Sequence, residues 1–275
     1  MTKPIAYAEL HARSAYSFLI GANQPAALVE RAAALELEAL ALTDNAGMYG
    51  IVQHVRAAQH VNLPAIVGAE IRHHSPEVAT SSVVALCRNA RDYAALSRAI
   101  ANAQLAAGDE TGGGKREVIV ELDELGASEC FVLTGAPQRG ALAQLVARGE
   151  RQAAEREIER LIAHVGRERI GIEIVAQQRP TDSALHDGLA ALAAHYRLPL
   201  VATGDVHCAE LRDFQLLTAL QATGQRAALA DADAQLPAFP QLLRSGEQMA
   251  KLHHRHPAAV ANAAAIGREC IFDFS

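Results

Sequence analysis

The chain has 275 residues, half of them hydrophobic and one fifth charged, a composition typical of globular proteins rather than of disordered or fibrous ones. Its formal net charge of −6 disfavours autonomous binding to nucleic acid, because domains that grip phosphate backbones are usually basic or carry a basic stripe. No stretch approaches the roughly 18 uninterrupted apolar residues of a membrane span and the N-terminus lacks a signal-peptide core, so we expect a cytoplasmic protein with no membrane partner.

Short apolar runs alternate with amphipathic segments of helical period, as in βα units around a parallel sheet. A chain of this length forms one unit most readily as a barrel or a large α/β sheet. Strands are predicted at residues 7–11, 40–43, 65–71, 83–87, 131–134, 170–175 and 200–203. Helices are predicted from Pro25, with Asn23 as the candidate cap, and at residues 51–60, 91–106, 150–165 and 181–196.

Two later segments differ in composition from the βα pattern. Residues 108–115, with three consecutive glycines, predict a surface loop, since they lack the strand and the spacing of a phosphate-binding loop. From Pro237 onward we expect a helical segment, with a capped helix from Ser245 and an Ala-rich helix to Cys270. The chain ends without a charged tail or a compact closure, which suggests a truncated protein.

Cysteine and histidine residues give weaker signals. The four cysteines are far apart and form no CxxC pair, so we predict free thiols rather than a zinc knuckle or a disulfide framework. The adjacent pairs His73-His74 and His253-His254 are predicted to be solvated residues of loops or helix ends, because neither pair fits the pattern of polar residues placed at the rim by a preceding apolar run.

Polar residues directly follow the apolar runs of four predicted strands, at the edge where ligands gather in parallel α/β folds. They are His11, Asp44, Glu70, and Asp205 with His207. Imidazole and carboxylate groups meeting at one rim would form a site suited to zinc, manganese or iron. A lone histidine at a strand end is more often a hydrogen-bonded structural residue, so the pattern leaves a metal site and a structural cluster about equally supported.

Four segments carry a family resemblance in their order and spacing: ELHARSAYSFLIGANQPAALVERA, LALTDNAGMYGIVQHVRAA, LPAIVGAEI and LPLVATGDVHCAELRDFQLLTAL. They resemble the PHP (polymerase and histidinol phosphatase) domain, in the branch of error-prone C-family DNA polymerases related to the polymerase III alpha subunit. The segment LLRSGEQMAKLHHRHPAAVANAAAIGRECIFDF resembles the same branch. The resemblance implies an α/β fold, with a PHP-type (β/α)7 barrel over residues 1–236. Residues 237–275 would form a short α-helical C-terminal extension leading toward a polymerase palm outside this chain.

The resemblance also implies a cluster of up to three metal ions at the rim, which generate hydroxide for phosphoester hydrolysis in active relatives. This chain departs from that pattern. The family's first motif, H-x-H, reads His11-Ala12-Arg13, and its second, T-D-H, reads Thr43-Asp44-Asn45. Ile20 occupies a position that is acidic or His in the family, and residues 81–83 and 173–178 lack a histidine that the family supplies.

The metal-ligand positions that remain are His11, Glu70, Asp205 and His207. Arg13 is always cationic and cannot ligate a metal, so near a cation site it would replace the charge of the ion. We therefore predict that Arg13 pairs with Glu70 or Asp205 where a metal ion would otherwise bridge them.

Three functions remain open at this point. The leading one is the PHP domain of an error-prone, DNA-directed DNA polymerase for translesion or repair synthesis, itself catalytically degenerate and structural. Its partner would be the remainder of the polymerase chain, DNA would be bound only through that chain, and Mg²⁺ would be needed only there. The second is a stand-alone metal-dependent phosphoesterase with one Zn or Mn ion at the four retained positions. The third is a non-catalytic module that contacts a clamp or an accessory factor, for which no peptide motif is evident.

Overall fold

The computed structural model describes residues 4–79, 81–108, 117–226 and 240–274. Seven strands lie where the sequence predicted them: β1 (Ala8–Glu9), β2 (Ala39–Leu42), β3 (Ala65–His73), β4 (Ser81–Leu86), β5 (Phe131–Leu133), β6 (Ile170–Val175) and β7 (Leu200–Thr203). The α-helices are α1 (Pro25–Ala34), α2 (Ile51–His60), α3 (Ala90–Gly108), α4 (Leu122–Ala127), α5 (Ala141–Ala147), α6 (Arg151–Val165), α7 (Asp182–Tyr196), α8 (Phe214–Gln225), α9 (Gly246–Leu252) and α10 (Pro257–Glu269). Short 3₁₀ turns cover Arg167–Arg169 and Leu211–Asp213. The predicted α/β class is therefore confirmed.

The strands form one sheet in the order β1 to β7, and the sheet closes nearly into a barrel. Strands β1 to β3 are parallel, as are β5 to β7. Beyond β1, Ala12 forms a parallel bridge with Val206, which joins the first strand to the last. The closure places the carboxyl ends of six strands around one rim.

Strand β4 departs from the predicted parallel arrangement, because it runs antiparallel to both of its neighbours. Its register pairs His73 with Ser81 and Gly68 with Leu86. Only residues 74–80 connect β3 to β4, fewer than the dozen or so that a parallel crossover needs, so a reversal is the available connection. The reversal brings the first residues of β4 to the same rim as the ends of the other strands.

The predicted C-terminal helices are present and pack against the barrel. Ser245 caps α9 in a capping box with Gln248, as the sequence predicted for its start. Helix α10 lies across β7, β1 and β2, and a side chain at Gly267 would place its Cβ 2.6 Å from the Cβ of Ala8. The extension thus covers the seam between the first and last strands. The boundary predicted between residues 236 and 237 lies outside the described residues.

One predicted cap is wrong. The residue before Pro25 at the start of α1 is Gln24, and no side chain caps this helix. Asn23 instead accepts a hydrogen bond from the backbone N–H of Ala209 at 2.8 Å and donates one to Asp213 at 3.0 Å. These contacts to the segment after β7 compete with capping, and they tie the loop after β1 to that segment.

Other predictions concern the cysteines, the glycine loop and membrane spans. All four cysteines are buried free thiols, as predicted. The glycine-rich loop at residues 108–115 lies, apart from its first residue, outside the described residues. Within the described ranges, no helix has both the length and the apolarity to cross a membrane.

Candidate functional site

The guanidinium group of Arg13 occupies the centre of the rim, and only 1% of this residue is exposed. Its Nε lies 2.7 Å from Oε2 of Glu70, and its Nη2 also donates to that oxygen. Its Nη1 lies 2.5 Å from Oδ1 of Asp205 and 2.7 Å from Nε2 of His207. Its Nη2 lies 2.8 Å from Nε2 of His11. The sequence predicted a pairing with Glu70 or Asp205, and Arg13 pairs with both.

The barrel closure determines where these side chains point. His11 and Arg13 are alternate residues of an extended segment whose backbone pairs with Val206 on both sides, with N···O distances of 2.8 and 2.9 Å. Alternate residues of extended chain share a face, so both side chains point into the rim. Asp205 has a φ of 46°, a left-handed conformation that aspartate tolerates better than most residues. This turn directs its carboxylate at the guanidinium.

A second guanidinium, that of Arg139, binds the same two carboxylates. Its Nε lies 2.8 Å from Oε1 of Glu70, and its Nη2 lies 2.5 Å from Oδ1 of Asp205. Arg139 follows β5 in a turn at Gly135, where φ is 89° and a Cβ would lie 2.0 Å from the carbonyl oxygen of Ser82. Sequence reasoning missed this residue, because the rule that polar residues directly after strands line the rim does not reach a residue several positions beyond the end of β5.

The two arginines control the ionisation of the buried carboxylates. Burial alone would raise the pKa of Glu70 and of Asp205, but the charges of Arg13 and Arg139 hold both pKa values well below the usual range. Burial lowers the pKa of His207 to about 4, against the opposing effect of Asp205. His207 is therefore neutral near pH 7, so its Nε2 can accept a hydrogen bond from Arg13.

His11 is held by a second carboxylate, that of Glu173 in β6. The Nδ1 of His11 lies 2.7 Å from Oε1 of Glu173, which also accepts a hydrogen bond from Thr203. Burial and the charge of Arg13 lower the pKa of His11, whereas the carboxylates of Glu173 and Asp205 raise it. The contact with Arg13 opposes this, because a guanidinium N–H at 2.8 Å can donate only to an unprotonated Nε2. The geometry thus favours the neutral ring, with its proton on Nδ1 facing Glu173.

Asp44, the other strand-end carboxylate, serves the loop after β1 and makes no direct contact with either guanidinium. It accepts hydrogen bonds from the backbone N–H and the hydroxyl of Ser14, both at 2.7 Å, and from the hydroxyl of Ser17 at 2.6 Å. The hydroxyl of Ser17 also accepts a bond from the backbone of Asn45 at 3.0 Å. The residues of the T-D-N motif therefore anchor this loop.

The four predicted ligand positions converge, but they converge on Arg13. The Nε2 of His11 lies 3.7 Å from Glu70 and 3.6 Å from Asp205, and the Nε2 of His207 lies 3.5 Å from Asp205. Their acceptor atoms are engaged by N–H donors, whereas a metal ion needs free lone pairs. Within residues 4–79, 81–108, 117–226 and 240–274, no group of three or more His, Cys, Asp or Glu is arranged to hold a metal ion. The residues present do not fit a metal while Arg13 is in place.

A cleft of about 410 Å³ opens over this cluster. Arg139, His207 and the exposed Arg179 line it, together with Ile20. Ile20 stands at the position where the family resemblance expects an acidic or His residue, so it adds an apolar side chain where a ligand was expected.

The predicted exposure of the adjacent histidine pairs is confirmed for one residue of each pair and wrong for the other. His74 and His254 are exposed, but His73 and His253 are buried. His73 is the last residue of β3 and is covered by Arg160 of α6, with 3.3 Å between Nη2 and Nδ1. His253 packs against His186 of α7, with ring centroids 5.6 Å apart. Packing against helices, which strand-end reasoning does not see, explains both corrections.

Comparison with known proteins gives related sequences and similar folds. Residues 9–177 match the PHP domain family. The chain is 37% identical to the error-prone DNA polymerase of Mycolicibacterium paratuberculosis and 38% identical to that of Cutibacterium acnes; each alignment covers 98% of this chain and 25% or 24% of the relative. The chain thus spans about a quarter of the length of these curated relatives.

Two solved structures share the fold. A candidate metal-dependent phosphoesterase from Bifidobacterium adolescentis has a TM-score of 0.54 at 18% identity, over 74% of this chain and 89% of its own. An amidohydrolase from Chromobacterium violaceum, with bound sulfate and no metal, has a TM-score of 0.56 at 20% identity, over 78% of this chain and 97% of its own. At these identities the likeness supports the barrel fold alone.

Proposed function

The chain belongs to the PHP domain family, and from that premise we propose that it is the catalytically degenerate PHP domain of an error-prone DNA polymerase. The alignments to error-prone DNA polymerases support this proposal, because they cover 98% of the chain. In this role the barrel is a structural part of a longer polymerase chain in the cytoplasm that carries out translesion or repair synthesis. The Mg²⁺ ions of nucleotidyl transfer and the contact with DNA belong to that longer chain.

The observation that carries the degenerate part of the proposal is the position of Arg13. Metal-dependent hydrolysis needs a cation that activates water and neutralises phosphate oxygens. At this rim the guanidinium takes the central position and donates to Glu70 and Asp205. A guanidinium supplies charge but has no vacant coordination position, so it cannot generate a metal-bound hydroxide. Hydrolysis by the family's chemistry is therefore not expected.

The alternative is a stand-alone phosphoesterase that holds one zinc or manganese ion. It is favoured by the convergence of the four retained positions, His11, Glu70, Asp205 and His207, on one point of the rim. For such an ion to bind, Arg13 would have to leave a buried position in which two carboxylates compensate its charge. Taking a charge out of such a pairing costs several kcal/mol, roughly, when one partner stays buried.

Metal content distinguishes these functions. The purified protein is dialysed against zinc and then manganese, and its metal is measured by elemental analysis together with hydrolysis of a small phosphomonoester. His207→Ala is the test variant, and His254→Ala, which changes an exposed histidine, is the matched control. We expect no stoichiometric metal in any of the three proteins. An ion that is bound by the unaltered protein and the control but lost in His207→Ala would establish the phosphoesterase instead.

A further inference from the structure

The carboxylates of Glu70 and Asp205 each bind two guanidinium groups at once. Glu70 presents Oε2 to Arg13 and Oε1 to Arg139, at Nε···O distances of 2.7 and 2.8 Å. Asp205 receives one nitrogen of each arginine on a single oxygen, both at 2.5 Å. Two positive groups are therefore bridged by the same two anions. Each carboxylate therefore pairs with both guanidinium groups, and the four groups compensate one another's charges.

The charge balance of the rim determines the charge of the ion that could replace the two arginines. The two guanidinium groups and the two carboxylates sum to zero, and both carboxylates are at most 2% exposed. One divalent cation carries the charge of two guanidinium groups, so it balances the carboxylates only if both arginines are absent. If Arg139 stays, the ion, the remaining guanidinium and the two carboxylates carry one positive charge too many, and the nearby carboxylate of Glu173 is engaged by His11 and Thr203. Arg139 also occupies Oε1 of Glu70 and Oδ1 of Asp205, oxygens that the ion would need as ligands.

We propose that Arg13 and Arg139 together stand in for one divalent cation, and that the rim accepts such a cation only when both guanidinium groups are removed. The inference rests on the proposed function, since it assumes that the unaltered rim holds no metal. On this inference, Arg139 prevents metal binding even when histidine at position 13 restores the family's first motif.

Arg139 is held at the rim by its side-chain contacts with Glu70 and Asp205 and by its backbone. Its carbonyl oxygen accepts a bond from the backbone N–H of Ser82 at 2.8 Å, which fixes its turn to β4. Its side chain is 29% exposed at the floor of the rim cleft, so substitution removes charge without opening a buried cavity. The residue is thus both anchored in the native protein and suited to substitution.

The test compares binding of Mn²⁺ and Zn²⁺ alone to a set of variants, by elemental analysis and calorimetry. Arg13→His restores H-x-H in the first motif, Arg139→Gln removes the second charge, and the double variant combines them. The matched control is Arg13→His with Arg179→Gln, which removes an exposed arginine of the same cleft for which the structure records no contact with either carboxylate. We expect about one ion in the double variant and at least about tenfold weaker binding in both single variants and in the control.

Each outcome decides the inference. If Arg13→His alone binds metal as tightly as the double variant, Arg139 plays no part and the inference fails while the proposed function stands. Failure of the double variant to bind an ion, with its circular dichroism native-like, also overturns it. Should the double variant be unfolded without metal, recovery of the fold on refolding with Mn²⁺ supports the inference, and failure to fold in both buffers overturns it. Stoichiometric metal in the unaltered protein would instead overturn the proposed function.

Discussion

Replacing Arg13 by methionine should strongly destabilise the barrel. Methionine has a side chain of similar length but no charge, so it leaves Glu70 and Asp205 buried with only Arg139 to compensate them. Removing one partner of a buried ion pair costs about 3 to 5 kcal/mol. For a domain of this size the loss corresponds to a decrease in Tm on the order of 10 °C.

The size of the loss should depend on pH in a defined direction. Both carboxylates have folded-state pKa values well below their ordinary values of 4.5 and 3.8, so in the unaltered protein they contribute stability above those values. That contribution is lost as the pH falls through the folded-state pKa values. In Arg13→Met the pKa values shift upward because burial then meets weaker opposition. The difference between the two proteins is therefore largest at neutral pH and shrinks below about pH 4.5.

The measurement is urea unfolding followed by circular dichroism, since the chain has no tryptophan to report by fluorescence. Arg156→Met is the matched control, because Arg156 binds both carboxylate oxygens of Glu77, at 2.7 and 2.9 Å, on an exposed surface. Exposed ion pairs contribute little, so this variant should unfold nearly as the unaltered protein does. Equal losses in the two variants, or a loss in Arg13→Met that does not shrink on acidification, would refute the reasoning.

Three further predictions concern residues around the rim and the C-terminal helices. Asp44→Asn should lower the free energy of unfolding, measured in urea, by about 1 to 3 kcal/mol, because an amide cannot accept all three hydrogen bonds that the loop after β1 donates. An unchanged unfolding midpoint would show that these bonds are dispensable. His253→Phe should stabilise the fold, since neither ring nitrogen has a hydrogen-bond partner among the described residues and burial lowers the pKa of this histidine to about 3. The gain in stability should grow as the pH falls from about 6.5, where the unfolded chain begins to take up a proton at this histidine; a loss of stability at every pH would contradict the prediction. Gly135→Ala should lower Tm, and because it moves the turn that carries Arg139 it should also reduce the change in Tm caused by a subsequent Arg139→Gln substitution. Additive changes in Tm in the double variant would count against this coupling.

Hydrophobic period was sufficient to predict the strands and most helices, because apolar runs of strand length alternate with amphipathic segments along this chain. It could not predict the reversal of β4, since strand direction depends on the length of the connection at residues 74–80 rather than on the strand itself. Nor could it predict the burial of His253, which depends on how the turn after α9 packs against α7.

The site was predicted only where its residues directly follow strands. His11 and Asp205 satisfy that rule, and Glu70 was found because it follows the apolar run at residues 66–69, although β3 continues to His73. The contacts of Arg13 were predicted because an arginine next to metal-ligand positions is a cation that pairs with their carboxylates. Glu173 escaped because it lies inside β6 and points inward from there, and Arg139 because it follows its strand by a turn of several residues. Both became visible only when the barrel closed and brought strands distant in sequence to one rim.

The retained carboxylates explain why the rim contains arginines rather than an apolar filling. A buried ion pair contributes little compared with well-packed apolar residues, so net stability alone gives no reason to keep it. Once Glu70 and Asp205 remain, however, a cation becomes obligatory, because unpaired buried carboxylates are far more costly than either alternative. A guanidinium meets this need with a planar set of five donors, which at Arg13 reaches two carboxylates and two imidazoles, whereas an ammonium group offers three donors from one point. In the role that we propose, the arginines keep the charge balance of the rim without offering the open coordination position on which metal-dependent hydrolysis depends.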